Sequence, residues 1–103
     1  MENQTINLKE YIAYSKDSVV SKTIKQNQAG TITLFAFDLG QLLSEHSAPF
    51  DAVVHVIEGE GEFVIGGKHH DVKEGQLIIM PANVPHAVKA NEKFKMLLIM
   101  LKA

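Results

Sequence analysis

The chain has 103 residues and none of them is cysteine. Disulfide bonds, thiolate nucleophiles and cysteine-bound zinc or iron–sulfur clusters are therefore excluded. Any metal must be held by His, carboxylate or amide groups. The formal net charge is only −2, and the basic residues are spread along the chain rather than clustered. Because binding of a phosphate backbone requires a concentrated basic surface, we expect no nucleic-acid partner.

Long apolar runs are also missing. The longest, Met96 to Leu101, is too short to cross a bilayer. The first residues, Met1 to Thr5, show neither the basic start nor the apolar stretch of a signal peptide. We therefore expect no membrane association and a cytoplasmic location. With 46% apolar and 21% charged residues, residues 1–103 are predicted to form one globular domain.

Alternation with a period of two dominates the sequence and predicts an all-β fold. Thr31 to Asp38 places Ile32 and Leu34 on one face and Phe35 on the other, which is the pattern of a strand. Helical spacing occurs only near the start, at Leu8, Tyr11 and Ile12. The candidate N-cap of this short helical turn is Asn7.

Glycine-containing turns divide the centre of the chain. Glu58 to Glu62, with two glycines, is predicted to be the turn of a β-hairpin. Gly66-Gly67 and Lys73-Glu74-Gly75 are predicted to be further turns. The strands between them are expected at 52–57, 63–65, 68–72 and 76–80. This spacing of turns is typical of β-sandwiches and barrels.

The last segment, Phe94 to Leu101, is apolar on both faces. One face is expected to fill the interior and the other to meet a partner, because a bare apolar strand is prone to aggregation. A homodimer is the simplest expectation. The alternative is that the segment from Val19 to Ile24 covers the outer face.

Two blocks of residues combine glycines, a proline and histidines at regular spacing. In residues 40–59, five residues separate Gly40 from His46, and the block ends at Gly59. In residues 75–90, five residues separate Gly75 from Pro81, and His86 follows five positions later. Each block reads as a strand, a turn and a second strand with a histidine near the turn.

These blocks resemble the paired motifs of the cupin superfamily, and the chain is similar to its small single-domain members. The resemblance implies an antiparallel jelly-roll barrel, also called a double-stranded β-helix. In such proteins two histidines and a glutamate of the first motif and a histidine of the second usually bind one divalent metal. His46 and His86 match two of these positions, whereas Ala48 and Ala52 stand at the other two.

A third metal ligand would have to come from elsewhere in the chain. His55 is the nearest candidate, but alternation places it on the face opposite Ala52. A bulge at 49–51 would turn it inward; otherwise it is an interface histidine. With His46, His86 and His55 as ligands, the cofactor would be one divalent transition metal such as zinc, nickel, iron or manganese.

A ligand pocket inside the barrel is the other expectation. Its predicted lining residues are His46, His86, Val54, Val56, Phe50 and Met80. Further aromatic and methionine residues belong either to the wall or to the ordinary core; they are Phe35, Phe37, Phe63, Met96 and Met100.

The remaining polar candidates have simpler interpretations. His69 and His70 follow a Gly-Gly-Lys turn and are expected at the surface. Glu58, Glu60 and Glu62 are interpreted as a solvated turn rather than a site for a hard cation.

Several functions remain open. The first is a binding protein that holds a small organic ligand between apolar walls, with His46 and His86 as polar contacts. The second is a metal-dependent enzyme of the dioxygenase, isomerase or lyase type, as the resemblance implies. A third uses His46 or His86 as a general acid or base without metal. The remaining alternative is that water and backbone groups satisfy the hydrogen bonds of both histidines, which then bind no ligand.

Overall fold

The computed structural model describes residues 3–102. In this part of the chain, one helical turn precedes nine strands. Their bounds are α1 Leu8–Tyr11, β1 Val19–Asn27, β2 Gly30–Phe37, β3 Leu42–His46, β4 Asp51–Glu58, β5 Glu60–Ile65, β6 Lys68–Lys73, β7 Leu77–Met80, β8 His86–Lys89 and β9 Phe94–Leu101. The all-β class and the short N-terminal helical turn are confirmed. The backbone oxygen of Asn7 accepts hydrogen bonds from the amides of Glu10 and Tyr11, but its side chain makes no capping bond.

The strands form two antiparallel sheets that enclose the core. One sheet has the order β1-β2-β9-β4-β7 and the other has the order β3-β8-β5-β6. Their facing sides supply one cluster of buried side chains, which consists of Phe37, Ala52, Val54, Val56, Phe63, Val72, Met80, Val88, Ala90, Phe94 and Met96. This is the jelly-roll barrel that the sequence motifs predicted.

The chain crosses between the two sheets at most of its connections. Within the described residues, only β1 with β2 and β5 with β6 pair with their immediate successors. Gly66 and Gly67, with φ angles of 56° and 82°, make the two-residue turn of the β5–β6 hairpin as predicted. The predicted hairpin at 58–62 is wrong: β4 pairs with β7 and β9, while β5 pairs with β6 and β8. The glycines there carry the chain from one sheet to the other.

Gly59 makes this crossing possible. Its φ of 74° lies in the left-handed region, which L-residues with a Cβ adopt only at a cost. A Cβ at this position would also overlap the carbonyl oxygen of Lys93. The chain therefore passes so close to the start of β9 that only glycine fits.

The N-terminal segment covers one half of the outer face of the five-stranded sheet. A second cluster forms here, in which Ile12 packs on Leu34, Ala36 and Ile57. Polar contacts hold the segment in place. The hydroxyl of Tyr14 donates to Glu58 at 2.5 Å, and burial together with this bond raises the pKa of Tyr14. The buried ammonium of Lys95 donates to the backbone oxygen of Lys9.

The other half of that outer face has no cover among residues 3–102. Val19 to Ile24 lies in β1, which extends the sheet beside β2 instead of crossing over β9. The covering role considered for this segment is therefore wrong.

None of the described helices is long and apolar enough to cross a membrane.

A pair of alanine substitutions tests the role of Gly59. Gly67→Ala meets open space, since nothing lies within 4 Å of the added Cβ, and should cost only about 1–2 kcal/mol for the left-handed conformation. Gly59→Ala adds overlap with the Lys93 carbonyl and should cost about 2 kcal/mol more. Denaturant unfolding measures both values. Equal destabilisation by the two substitutions would contradict the close approach.

Candidate functional site

A bulge in β3 turns His46 into the barrel. Leu43 pairs with Val88, whereas His46 pairs with His86. Three steps along β3 thus correspond to two steps along β8. Strict alternation would place Leu43 and His46 on opposite faces, and the extra residue brings both to the inner face. His46 and His86 therefore stand side by side on neighbouring strands, with ring centroids 4.4 Å apart.

Hydrogen bonds connect the turn before β8 with the residues between the end of β3 and the start of β4. The amide of Asn83 donates to the carbonyl of Ala48 at 2.7 Å, and the amide of Ala82 donates to the carboxylate of Asp51 at 2.8 Å. Asn83 has a φ of 63°, a left-handed conformation that asparagine tolerates better than most residues. These bonds fix the point at which β8 begins and hence the direction of the His86 ring.

A cavity of about 110 Å³ lies beside the two histidines. Its walls are apolar except for the two imidazoles. The lining residues are Phe35, Leu43, His46, Ala48, Ala52, Met80, His86, Val88, Met96, Leu98 and Met100. His86 is 6% exposed, whereas His46 is exposed to solvent. The cavity therefore meets solvent at His46, and His86 forms its deeper polar wall.

The hydrogen-bond partners determine where the ring hydrogens lie. Nδ1 of His46 lies 2.8 Å from the carbonyl oxygen of Ser44, and Nδ1 of His86 lies 3.2 Å from that of Val84. A carbonyl oxygen only accepts, so each Nδ1 carries the hydrogen and donates it. A neutral imidazole has a single N–H, so the Nε2 atom of a neutral ring held in this way presents a lone pair.

The two Nε2 atoms face each other at 3.2 Å. The pair makes three polar contacts, one from each Nδ1 to a carbonyl oxygen and one between the two Nε2 atoms. Two neutral rings carry only two N–H hydrogens for these three contacts. Lone pairs at this distance repel unless a positively polarised group joins them. A third proton, a cation, or the donor hydrogen of a ligand would each supply that group.

Protonation of His86, the buried ring of the pair, is disfavoured. Burial, and to a lesser extent the neighbouring His46, lowers the pKa of His86, although its bond to the Val84 carbonyl acts in the opposite direction. An ordinary histidine titrates near pH 6.5, so His86 is neutral at pH 7. Protonation of His86 therefore does not supply the missing hydrogen at neutral pH.

Comparisons with known proteins agree with this fold. The family model described as the cupin domain matches residues 33–101, which is more than half of the chain. The chain belongs to the cupin family. No curated protein matches it.

Solved structures of other cupins are closely similar. A conserved protein of unknown function from Streptococcus pyogenes has 38% identity and a TM-score of 0.94, with 100% of this chain and 90% of that one covered. A cupin 2 conserved barrel domain protein from Leptotrichia buccalis has 42% identity and a TM-score of 0.91, with 94% of this chain covered but only 47% of that one. A cupin superfamily protein from Desulfitobacterium hafniense has 25% identity and a TM-score of 0.92, with 100% and 94% covered.

The usual cupin metal site is only half present. Ala48 and Ala52 both line the cavity, so methyl groups stand where the family commonly has a histidine and a glutamate. Among residues 3–102, no group of three or more His, Cys, Asp or Glu side chains could hold a metal. Metal sites with an open position commonly have three protein ligands. The residues present therefore do not fit a resident metal of the usual cupin kind.

His55 does not join the other two histidines. It lies on β4 between Leu77 and Leu97, on the face opposite Ala52, and borders a groove beside the N-terminal segment. A bulge at 49–51 would have turned His55 inward. The bulge observed near the site lies instead between Leu43 and His46 on β3. His55 as a third ligand is thus not supported by its position.

Of the other residues that the sequence predicted to line the pocket, one lines the cavity and three lie elsewhere. Met80 lines the cavity with His46 and His86. Val54 and Val56 face inward but are fully buried in the packed core, and they are not in the wall of the cavity. Phe50 lies away from it, with the Lys102 ammonium 5.8 Å from its ring centroid.

Three wall residues were absent from the sequence interpretation of the pocket: Leu43, Val88 and Leu98. Alternation from His86 indicates Val88, and alternation between Met96 and Met100 indicates Leu98. Leu43 could not be assigned in this way because the β3 bulge changes the face on which it lies relative to His46.

The surface interpretation of His69 and His70 agrees with their positions, whereas Glu58, Glu60 and Glu62 are only partly exposed and do not form a solvated hairpin turn. His69 and His70 are exposed, and Nδ1 of His69 lies 2.6 Å from Glu62. The carboxylate of Glu62 also accepts a hydrogen bond from Asn91 at 2.7 Å. These bonds, that of Asn91 first, lower the pKa of Glu62.

The pKa of His86 predicts a specific dependence of stability on pH. Because its folded pKa lies below its unfolded value, its contribution is complete above about pH 6.5 and is lost as the pH falls toward the folded pKa. His86→Gln should remove this part of the acid destabilisation, measured as melting temperature from neutral to mildly acidic pH. His70→Gln, which removes an exposed imidazole and leaves the cavity intact, is the matched control. A His86→Gln protein with the wild-type slope would contradict the assignment.

Proposed function

We propose that this cupin binds a small organic molecule inside the barrel and recognises it through a hydrogen-bond donor on the ligand. The observation that carries the proposal is the pair of Nε2 lone pairs of His46 and His86, 3.2 Å apart in the wall of an otherwise apolar cavity. A ligand hydroxyl or N–H placed at this pair supplies the hydrogen that the contact between the two Nε2 atoms lacks when both rings are neutral.

The walls of the cavity define the rest of the ligand. Phenyl, thioether and aliphatic groups surround the space, so an apolar body is favoured and a second charged group would be left without a partner. A volume of about 110 Å³ admits a molecule about the size of one six-membered ring, since an apolar cavity of about 150 Å³ binds benzene. The ligand class is therefore a small alcohol, phenol or amine with a compact apolar body.

The alanines at the vacant cupin positions support an organic ligand. A histidine at Ala48 and a glutamate at Ala52 would project into the volume that the cavity now occupies. Their absence removes donors for a metal and at the same time provides room for a ligand. We place this binding function in the cytoplasm, in line with the sequence expectation.

A second candidate function is reversible binding of one divalent ion, which the distance between the nitrogens favours. Two metal–nitrogen bonds of about 2.0–2.1 Å subtend an angle of about 100° when the nitrogens are 3.2 Å apart. This is close to a tetrahedral angle. The metal-dependent dioxygenase, isomerase or lyase considered from the sequence would need a further donor in addition to these two, supplied by water or by the substrate.

The affinities of phenol and toluene distinguish recognition through a hydrogen-bond donor on the ligand from binding by apolar contact alone. The two molecules are nearly isosteric, but only phenol offers a hydroxyl hydrogen. We expect phenol to bind roughly tenfold more tightly than toluene, as one net hydrogen bond provides, and to shift the side-chain nitrogen resonances of His46 and His86. Titration followed by NMR measures both effects.

Leucine substitutions supply the controls for this experiment. His46→Leu combined with His86→Leu should abolish the preference for phenol, because either ring alone still presents one Nε2 acceptor. His70→Leu should preserve it because that ring is exposed on β6. Equal affinities of the wild-type protein for phenol and toluene would contradict the proposal.

Metal content decides between the two candidate functions. Protein purified without an affinity tag should contain far less than one equivalent of metal, since two imidazoles hold a divalent ion weakly. Ala48→His combined with Ala52→Glu should raise the affinity for zinc by at least about tenfold, because donors return to both vacant positions. Elemental analysis and zinc titration measure these values. Stoichiometric metal in the wild-type protein that is lost in His86→Leu would favour the metal-binding function instead.

A further inference from the structure

Three methionines line the cavity together with the two histidines: Met80, Met96 and Met100. The chain has four methionines, and the fourth, Met1, lies outside the described residues. Methionine fills irregular gaps in many apolar cores, but here every described methionine borders the same small space. Its thioether sulfur is also a soft ligand for metal ions, which the aliphatic wall residues cannot provide.

The strand register places two of these methionines beside Ala52. Met80 on β7 and Met100 on β9 both pair with Ala52 on β4, so they stand at the same level of the sheet on either side of the alanine. Directly paired residues point to the same face, and all three line the cavity. The small methyl group leaves the space between the two longer side chains open. Met96 pairs with Val56 instead.

Nitrogen and sulfur atoms come from opposite walls of the barrel. His46 and His86 lie on β3 and β8 of the four-stranded sheet, whereas Met80 and Met100 lie on β7 and β9 of the five-stranded sheet. The cavity between them, about 110 Å³, is smaller than the roughly 150 Å³ that hold one benzene molecule. One ion with bonds of about 2.0–2.3 Å on each side can bridge a gap of this width.

The tautomers of the two imidazoles suit them to bind a metal ion. In each neutral ring, Nδ1 donates its hydrogen to a backbone carbonyl, that of Ser44 or that of Val84, and Nε2 presents its lone pair. Most metal-binding histidines have this arrangement, in which the hydrogen bond of the other nitrogen fixes the tautomer and the orientation of the ring.

The cavity wall favours a monovalent ion over a divalent one. None of the described residues that line the cavity carries a carboxylate, so the charge of a bound ion is not neutralised inside the barrel. The cost of placing an ion in apolar surroundings rises with the square of its charge, and a divalent ion is therefore penalised about fourfold more than a monovalent one of equal size. Copper(I) is the monovalent ion that soft thioether ligands select.

We propose that the cavity binds one copper(I) ion through the Nε2 atoms of His46 and His86 and the sulfur atoms of Met80 and Met100. The two sulfurs come from positions that the usual cupin metal site does not use. Copper(I) has the same filled d shell as zinc(II), which accepts four ligands in a tetrahedron. The ion competes with the organic molecule of the proposed function for the two Nε2 atoms, but its binding does not depend on that molecule.

Leucine substitutions test the sulfur ligands. Leucine keeps the volume and the apolar character of methionine and has no sulfur. The affinity of the chelator-treated protein for copper(I), measured without oxygen in competition with a coloured copper(I) chelator, should fall by at least about 100-fold in Met80→Leu combined with Met100→Leu. Met96→Leu is the matched control and should change it by less than about threefold. Equal affinities of the wild-type protein and the double variant overturn the proposal.

The preference for phenol over toluene separates this proposal from the proposed function. The double variant should keep that preference, because both histidines remain. If the preference is absent from the wild-type protein while the copper(I) affinities differ as expected, the proposed function fails and the copper site stands. Equal copper(I) affinities with an intact preference for phenol give the reverse result.

X-ray absorption at the copper edge identifies the neighbours of the ion without any substitution. The copper(I) complex of the wild-type protein should show both sulfur and nitrogen neighbours, since the cavity offers no other sulfur than that of methionine. Nitrogen or oxygen neighbours alone overturn the proposal, whatever the affinity of the double variant.

Discussion

When both rings are neutral, the pair of imidazoles in the barrel has three polar contacts but only two N–H hydrogens, and this shortage governs the chemistry of the site. The backbone carbonyls of Ser44 and Val84 take the hydrogen from each Nδ1, which leaves the two Nε2 atoms facing each other with lone pairs. Burial keeps His86 neutral at pH 7 by lowering its pKa. The remaining walls offer no donor side chain, so the pair is suited to receive an electropositive group from a bound molecule.

Two strands connect the cavity with the outer face of the five-stranded sheet. On β4, Ala52 faces the cavity while its neighbour Val53 lies on the outer face. On β9, Leu98 and Met100 face the cavity while Ile99, which lies between them, pairs with Val53. Because alternate side chains of one strand serve two surfaces, the outer face and the ligand wall depend on the same backbone.

Much of the fold and part of the site could be predicted from the sequence, and the errors have physical reasons. The resemblance to the cupin motifs implied that His46 and His86 face the interior of the barrel, and alternation along 31–38 and 94–101 separated the two faces of each strand. The error at 58–62 arose because glycines permit a tight turn without specifying whether the next strand stays in the same sheet. The position of the β3 bulge depends on pairing with β8, which local sequence does not encode. Burial of Val54 behind the cavity wall depends on packing between the two sheets.

The protonation of the four ring nitrogens is the central claim, and nitrogen-15 NMR of the side chains of His46 and His86 measures it directly. In the ligand-free protein at neutral pH, the account predicts hydrogen on both Nδ1 atoms and none on either Nε2. A hydrogen found on Nε2 of either ring, in the other neutral tautomer or in a doubly protonated imidazole, would complete the third contact within the protein. That result would contradict the inference that a ligand supplies the missing hydrogen.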